Sequence, residues 1–410
     1  MVAHRRARHR LFVAVRRDHR WVAWLENDRL VEFHRQKASE ELQSGDIHLG
    51  RIVRVDKGLG AAFVDIGRKQ AVFLPLSELS TPAVEGARTI VQIEREGRGE
   101  KSPRGTARPA LAGARVVLMP GRRGSAVSEK IVDKGERSRL SALMNALAEV
   151  GESFMARTSA VGATERELRR EAAALRASWR DLLELERSRQ PPAVLHRQLS
   201  IDIGLLRDHG PAFDEIVYDD RRAAAAAAAW CQSIAPELTI RIVFRRDADW
   251  VPPPSEILEE VEEAIQPHVA LRSGGSLVIE PTEAMTVIDV NAESATGTHA
   301  SAQSERALLR VNLAAVDEIA RQIRLRNVGG IAVIDFIDLK DANGRRQIVD
   351  RLRAAVARDS APVWVGAMSR LGLVELTRRR RGPTLVEIMM QSCRACGGTG
   401  HVARDHVLYG

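Results

Sequence analysis

The chain has 410 residues and a mass of 45.2 kDa, room for about two to four domains with real cores, which excludes a miniprotein. Hydrophobic residues at 44% and charged residues at 28% exclude a wholly disordered chain. Lys and Arg total 62 against 54 Asp and Glu, a net charge of +8 at a pI near 9.9, the sign a polyanionic partner requires.

Residues 11–34 alternate apolar and polar side chains around Asn27-Asp28, which predicts a small antiparallel meander. GRIVRVDKGLGAAFVDIGRKQAVFLPL at 50–76, punctuated by Gly58, Gly60 and Gly67, suits the short curved strands of a small barrel, closing with RTIVQIERE at 88–96. The Gly-, Arg- and Pro-rich 97–110 is expected to be a loop, and ARVVLMP at 114–120 a new strand. Helices are predicted over 138–149 and 164–189, the second opened by Thr164 with Glu167 as a capping box and stopped by Pro191-Pro192. Strands at 214–220 and 238–244 flank a helix built on the seven alanines 223–229, and a further helix at 255–265 leads to a boundary near 272. The last part reads as strands 276–281 and 285–290, helix 303–326, strand 331–337, helix 345–358 and strand 362–368, a layered α/β domain.

No run approaches the roughly 20 apolar residues of a membrane span, and Leu11–Val15 is too short a run for a signal peptide. Three cysteines make no disulfide framework, so a cytoplasmic location is expected.

Asp289 in MTVIDVN and Asp335 in IAVIDFID each follow an apolar β-run. On neighbouring strands about 4.8 Å apart their carboxylates would repel unless one is protonated or a hard cation such as Mg²⁺ lies between them. Asn291 is placed to orient water or phosphate. Asp338, three residues past Asp335 in the same strand, points to the opposite face and reads as support for the pair rather than as a ligand. The plainer alternative is that both acids are ordinary strand-end loop caps.

Cys393 and Cys396 form a C-x-x-C ahead of glycines, half of a tetrahedral zinc site that a second chain would complete, whereas Cys231 reads as a buried core thiol. Phe63 and Phe73 lie on a small basic module, as base-stacking residues or as plain core. Arg157 and Thr158, ahead of the capped helix, offer a guanidinium and a hydroxyl to a terminal phosphate.

In this order the pieces resemble the ribonuclease E/G family, most of all its ribonuclease G-like members. The resemblance rests on GRIVRV with GLGAAFVDIG (50–67), FLPL (73–76), VVLMP (116–120), ARTSA (156–160) and GGSLVIEPTEAMTVIDVN (274–291). It continues through AAVDEIARQIRLRNVGGIAVIDFIDL (314–339), SRLGLVELTR (369–378) and CRACGGTGHV (393–402). It implies a multidomain α/β protein with an inserted all-β barrel. Its parts would be an RNase H-like scaffold at 1–45 and 199–271, a shortened S1 (OB-fold) barrel at 46–113, a 5′-phosphate sensor region at 114–198, a DNase I-like catalytic domain at 272–390 and a zinc-link tail at 391–410. The implied activity is Mg²⁺-dependent, single-strand-specific endoribonucleolytic cleavage in RNA processing and decay, leaving 5′-phosphate and 3′-hydroxyl ends.

By matching motif, Asp289 and Asp335 would hold Mg²⁺ with Asn291 assisting, and Cys393 and Cys396 would share Zn²⁺ with a second protomer in a homodimer. Phe63, Phe73, Lys101, Arg157 and Thr158 would contact single-stranded RNA. The sequence departs from the pattern between Leu76 and Val91, at 102–110, and at Pro362, where a further basic sensor residue is expected. A non-enzymatic RNA-binding protein of the same fold is the alternative, and a zinc-bridged scaffold without an RNA role a third.

Overall fold

The computed structural model describes residues 7–17, 19–37, 42–79, 81–97, 101–245, 254–272, 274–292, 302–380, 382–394 and 396. The described residues fall into two units. One holds those of Met1–Phe12, Trp21–Arg35 and Arg246–Gly410, the other those of Val13–Arg20 and Gln36–Arg245. Among them no helix is long and apolar enough to cross a membrane.

The chain begins with β1 (His9–Val15), β2 (His19–Glu26) and β3 (Arg29–Lys37). Asn27 and Asp28 link β2 to β3 with φ of 48° and 64°, the paired left-handed conformation whose twist matches a hairpin. The expected meander is therefore present.

The barrel follows, with β4 (Ile47–Asp56), β5 (Ala61–Asp65), β6 (Val72–Pro75), β7 (Arg88–Arg95) and β8 (Arg104–Thr106). Pairing runs β4-β5-β6-β8-β7, and β7 returns to β4, so five strands close and leave no edge. Ile52, Ala62, Val64, Val72, Leu74, Val91 and Ile93 fill it. The sequence pattern ends the barrel at 88–96 and makes 97–110 a loop, whereas β8 lies in that stretch and completes the barrel. Three residues are too few to show periodicity, and the central one is Gly105, where a Cβ would stand 2.5 Å from Val91 Cγ2 and 2.8 Å from Val72 Cγ1.

A second sheet, of order β11-β12-β10-β9, joins β9 (Leu111–Ala112), β10 (Val116–Pro120), β11 (Ala126–Val127) and β12 (Glu152–Ala156). It packs Val116, Leu118 and Phe154 against Leu140 and Met144 of α1 (Lys134–Leu147) and Leu168 of α2 (Glu165–Ser188). The α1 helix starts earlier than its apolar spacing suggests because Asp133 accepts from the Glu136 amide and caps it. In α2 the Thr164–Glu167 capping box is formed on both sides.

β13 (Ala193–His196) pairs with β4, and α3 (Ile201–His209) leads to β14 (Glu215–Tyr218), α4 (Arg221–Ile234) and β15 (Ile242–Phe244). A five-stranded sheet has the order β15-β14-β1-β2-β3. The strand expected at 238–244 is shorter. Pro236–Arg241 is a 3-10 turn in which Leu238 is buried and Ile240 exposed, and only Ile242–Phe244 pair with Ile216–Tyr218. Cys231 is buried, as expected, and burial pushes its thiol up to about 12.

The remaining unit is built on a six-stranded sheet of order β16-β17-β18-β19-β21-β20. Its elements are α5 (Pro254–Ala264), β16 (His268–Ala270), β17 (Ser276–Pro281), β18 (Met285–Asn291), α6 (Ala302–Leu325), β19 (Gly330–Asp335), α7 (Ala342–Val356), β20 (Val363–Met368), β21 (Leu373–Arg378) and α8 (Leu385–Met389). The domain expected to begin at 272 already includes β16, which pairs with β17. One sheet face, with Leu277, Ile279, Ile288, Ile334 and Leu376, is buried under Val316, Ile319 and Ile323 of α6 and Ile348 and Leu352 of α7. The alternation of strand side chains sends Met285, Val287, Asp289, Ile331 and Asp335 to the other face.

Candidate active site and nucleic-acid interface

β18 and β19 are parallel, and their register places Asp289 opposite Asp335 at the carboxyl ends of both strands. Asn291, two residues on, donates from Nδ2 to Asp289 Oδ2 at 2.8 Å, which fixes that carboxylate. The Asp335 carboxyl is raised above its usual range by burial and by the charges of Asp289 and Asp338. The strand ends at Asp335, so alternation no longer governs Asp338, and its charge falls on Asp335 rather than on the far face. Asp338 lies against the turn between β20 and β21, where a Cβ on Gly372, whose φ is +82°, would be 3.0 Å from Asp338 Oδ1.

Among the described residues no group of three or more His, Cys, Asp or Glu side chains could hold a metal ion. That does not count against a magnesium ion, which keeps several waters and binds proteins through one or two carboxylates. The two facing oxygen donors, one with a proton affinity raised by burial and by its neighbours' charge, fit a hard divalent cation. A groove of about 350 Å³ beside the β20–β21 turn carries Arg345, Arg346, Arg353 and Arg370, a basic flank that sequence spacing did not single out.

Cys393 is exposed and Cys396 half-buried, two thiols where a tetrahedral zinc needs four ligands. Residues 395 and 397–410 of the tail lie outside the described residues.

On the barrel, Phe63 and Phe73 are half-buried and lie outside the core cluster of the barrel. They pair in register across β5 and β6, edge to face at 6.0 Å. The same row continues on both sides: Arg54 opposite Phe63, Arg104 opposite Phe73, and Arg95 opposite Arg104. The Arg54 guanidinium lies 4.0 Å from the Phe63 ring centre and that of Arg104 6.0 Å from Phe73. Cations interleaved with half-exposed rings form a surface that can stack bases and neutralise phosphates. The arginines went unnoticed in the sequence because only strand register brings them beside the rings. Lys101 is an exposed single-bridge residue just ahead of β8.

Arg157 follows β12 and Thr158 opens the next turn. Arg157 donates from Nη1 to the Gly113 carbonyl at 2.7 Å and from Nη2 to Asp208 at 2.5 Å. Against the opposing effect of burial, Arg207 and Arg157 hold the Asp208 carboxyl down at about 2. Thr158 is exposed, its hydroxyl 3.4 Å from that of Ser128. The structure thus brings the two residues together while tying much of the guanidinium to the protein.

Residues 110–381 match the Ribonuclease E/G family, and residues 41–98 the S1 RNA binding domain. The chain belongs to the ribonuclease E/G family. Ribonuclease G of Escherichia coli strain K12 is 32% identical over 402 residues, covering 93% of this chain and 82% of that protein. Ribonuclease E of a Nostoc species is 34% identical over 413 residues, and that of Haemophilus influenzae 33% over 416. The chain spans 59% and 44% of the length of these two ribonuclease E proteins. The S1 match covers strands β4 to β7 of the closed barrel, with Arg54, Phe63, Phe73 and Arg95 among its residues.

Proposed function

We propose that this ribonuclease E/G family member is a single-strand-specific endoribonuclease of RNA processing and decay, with its metal site at Asp289 and Asp335. The observation that carries the reading is the direct register of the two acids at adjacent parallel strand ends, with Asp335 raised by burial and by the charge of its neighbours. Under this reading the six-stranded sheet is the DNase I-like catalytic domain, and β1–β3 with β14 and β15 belong to the RNase H-like scaffold.

A magnesium ion bound there would polarise a phosphoryl oxygen and lower the pKa of a water molecule. Asp289 and Asp335 hold the ion from two strand ends. Asn291 keeps the Asp289 carboxylate in one orientation through its 2.8 Å hydrogen bond. Asp338 deepens the negative potential that attracts the cation. In the net reaction a water oxygen bonds to phosphorus as the P–O3′ bond breaks, and the proton lost by water is matched by the one gained at O3′. The products are a 5′-phosphate and a 3′-hydroxyl. The S1 face holds single-stranded RNA through Phe63, Phe73 and Lys101, and Arg157 with Thr158 greets a 5′-monophosphate. Cys393 and Cys396 supply half of a zinc shared between two protomers of a homodimer.

The test is cleavage of a labelled, single-stranded, 5′-monophosphorylated RNA with Mg²⁺ or EDTA, comparing wild type with Asp289→Asn and Asp335→Asn. Cleavage that needs Mg²⁺ and disappears in both variants is expected. Tight RNA binding by wild type without any cleavage would sink the enzymatic reading and leave an RNA-binding protein.

A further inference from the structure

The sheet face that carries Asp289 and Asp335 also carries apolar surface. Met285 is 37% exposed, Ile331 46% and Trp364 60%. Strand register makes these one row: Met285 opposite Ile331, Ile331 opposite Thr377, and Thr377 opposite Trp364. Because residues four apart on a strand share a face, the row lies on the side of the aspartates, about 13 Å along β19 from Asp335. Single exposed apolar residues are ordinary, whereas three gathered in one row, with only Thr377 between them, mark a candidate contact surface.

Trp364 is held in a particular way. A Cβ on Gly366 would stand 3.4 Å from Trp364 Cη2 and 3.6 Å from Cζ3, so the indole lies along the strand over the bare glycine. Gly366 is on the side of Trp364 nearer Met368 and the β20–β21 turn, where Leu373 pairs with Asp335. The ring therefore reaches toward the aspartate end of the sheet.

Charge on the same face selects an occupant. Arg379 follows Arg378, its amide donating to the Pro362 carbonyl at 3.0 Å, which puts it one row beyond Thr377 on the indole side. It is exposed, and its side chain makes no ion pair among the described residues. Between the tryptophan row and the aspartates lies a row holding Glu280 and Glu375, in register through Val287 and Val333. Those carboxylates repel phosphate, so a single strand crossing this row would keep its backbone outward and turn its bases toward the sheet. A second copy of the chain is disfavoured, because a stable protein interface buries about 800 Å² per partner, far more than this short row presents.

We propose that Trp364, with Ile331 and Met285 beside it and Arg379 at its edge, is a base-stacking platform that positions single-stranded RNA a few nucleotides from the scissile phosphate. This rests on the reading of Asp289 and Asp335 as the cleavage site. Stacking on an aromatic side chain tolerates every base, so the platform sets where the strand is cut relative to a bound base more than which base is chosen. Trp364 is accordingly a positioning residue.

The experiment uses single-stranded RNA carrying 2-aminopurine at successive positions. Fluorescence is read in EDTA, and cleavage kinetics in Mg²⁺, for wild type, Trp364→Ala, Trp364→Phe and Arg379→Gln in the full chain. Wild type should quench the probe at one or two positions near the cut, and Trp364→Phe should retain most of that quenching. Trp364→Ala should abolish it and raise KM by about 5- to 150-fold, the range of one stacked base, with the loss in KM rather than kcat. Arg379→Gln should weaken binding and flatten its salt dependence. Unchanged quenching and KM in Trp364→Ala would overturn the platform while leaving the metal site standing. Quenching that depends on Trp364 in a protein that never cleaves would support the platform and sink the catalytic reading instead. A change from dimer to monomer in Trp364→Ala, with RNA binding intact, would overturn the platform and make the row a protein interface.

Discussion

Replacing Phe63 or Phe73 by alanine separates a recognition face from a core. Both rings lie outside the cluster of Ile52, Val64, Val72 and Leu74 that holds the barrel together, so truncation opens no cavity of the kind that costs several kcal/mol. Loss of a stacked base costs about 1–3 kcal/mol, which is about 5- to 150-fold in affinity at 1.4 kcal/mol per factor of ten. Because the rings touch edge to face at 6.0 Å, removing one loosens the other, and the double variant should lose less than the sum of the two singles. Anisotropy of a labelled single-stranded RNA in EDTA gives the affinity, and circular dichroism melting gives the stability. The expected result is weakened binding with a melting temperature near wild type. Unchanged affinity with a marked drop in melting temperature would refute the reasoning, because it would mean that the rings pack rather than bind.

Replacing both Cys393 and Cys396 by serine should release zinc, read by metal analysis, and shift the mass in light scattering from dimer to monomer; an unchanged mass removes the shared-zinc clamp. Wild type should cleave 5′-monophosphorylated RNA faster than 5′-hydroxyl RNA, and Asp208→Asn, which frees the Arg157 Nη2 group, should widen the difference. Equal rates on both substrates would mean that Arg157 serves only its protein partners. Glu32 is buried, and despite the opposing effect of burial its hydrogen bond from His34 and the charge of Arg324 hold its carboxyl at about 2 against the ordinary 4.5. Since the folded value lies below the unfolded one, the stability it adds, about 3 kcal/mol, is complete above pH 4.5 and is lost as pH falls toward 2. Acid unfolding of Glu32→Gln should lack that part of the slope, and a curve parallel to wild type would contradict the assignment.

Periodicity made the long elements legible. The apolar faces of 164–189 and 303–326 and the β-runs before Asp289 and Asp335 appear within a few residues of where alternation and capping residues put them. What escaped was held in place by partners rather than by pattern. β8 has three residues and exists because β6 and β7 lie on either side of it. The 3-10 turn at Pro236–Arg241 replaces half of an apparently apolar strand because nothing pairs with it until Ile242 meets Ile216.

The same division holds at the site. Asp289 and Asp335 were legible because each ends a β-run, and the parallel register that sets them opposite each other is what two matched runs produce when they become neighbours. For Asp338, which the sequence marks as support for the pair, extending the strand two residues too far gives the wrong face, while its charge does act on Asp335. Arg54, Arg95 and Arg104 are unremarkable in a chain rich in arginine, and they form one row with Phe63 and Phe73 only when three separate registers align them. Trp364 follows the same logic on the six-stranded sheet. One exposed tryptophan has no meaning in the sequence, but its row, the bare backbone of Gly366 beneath it and the aspartates on the same face give it a direction.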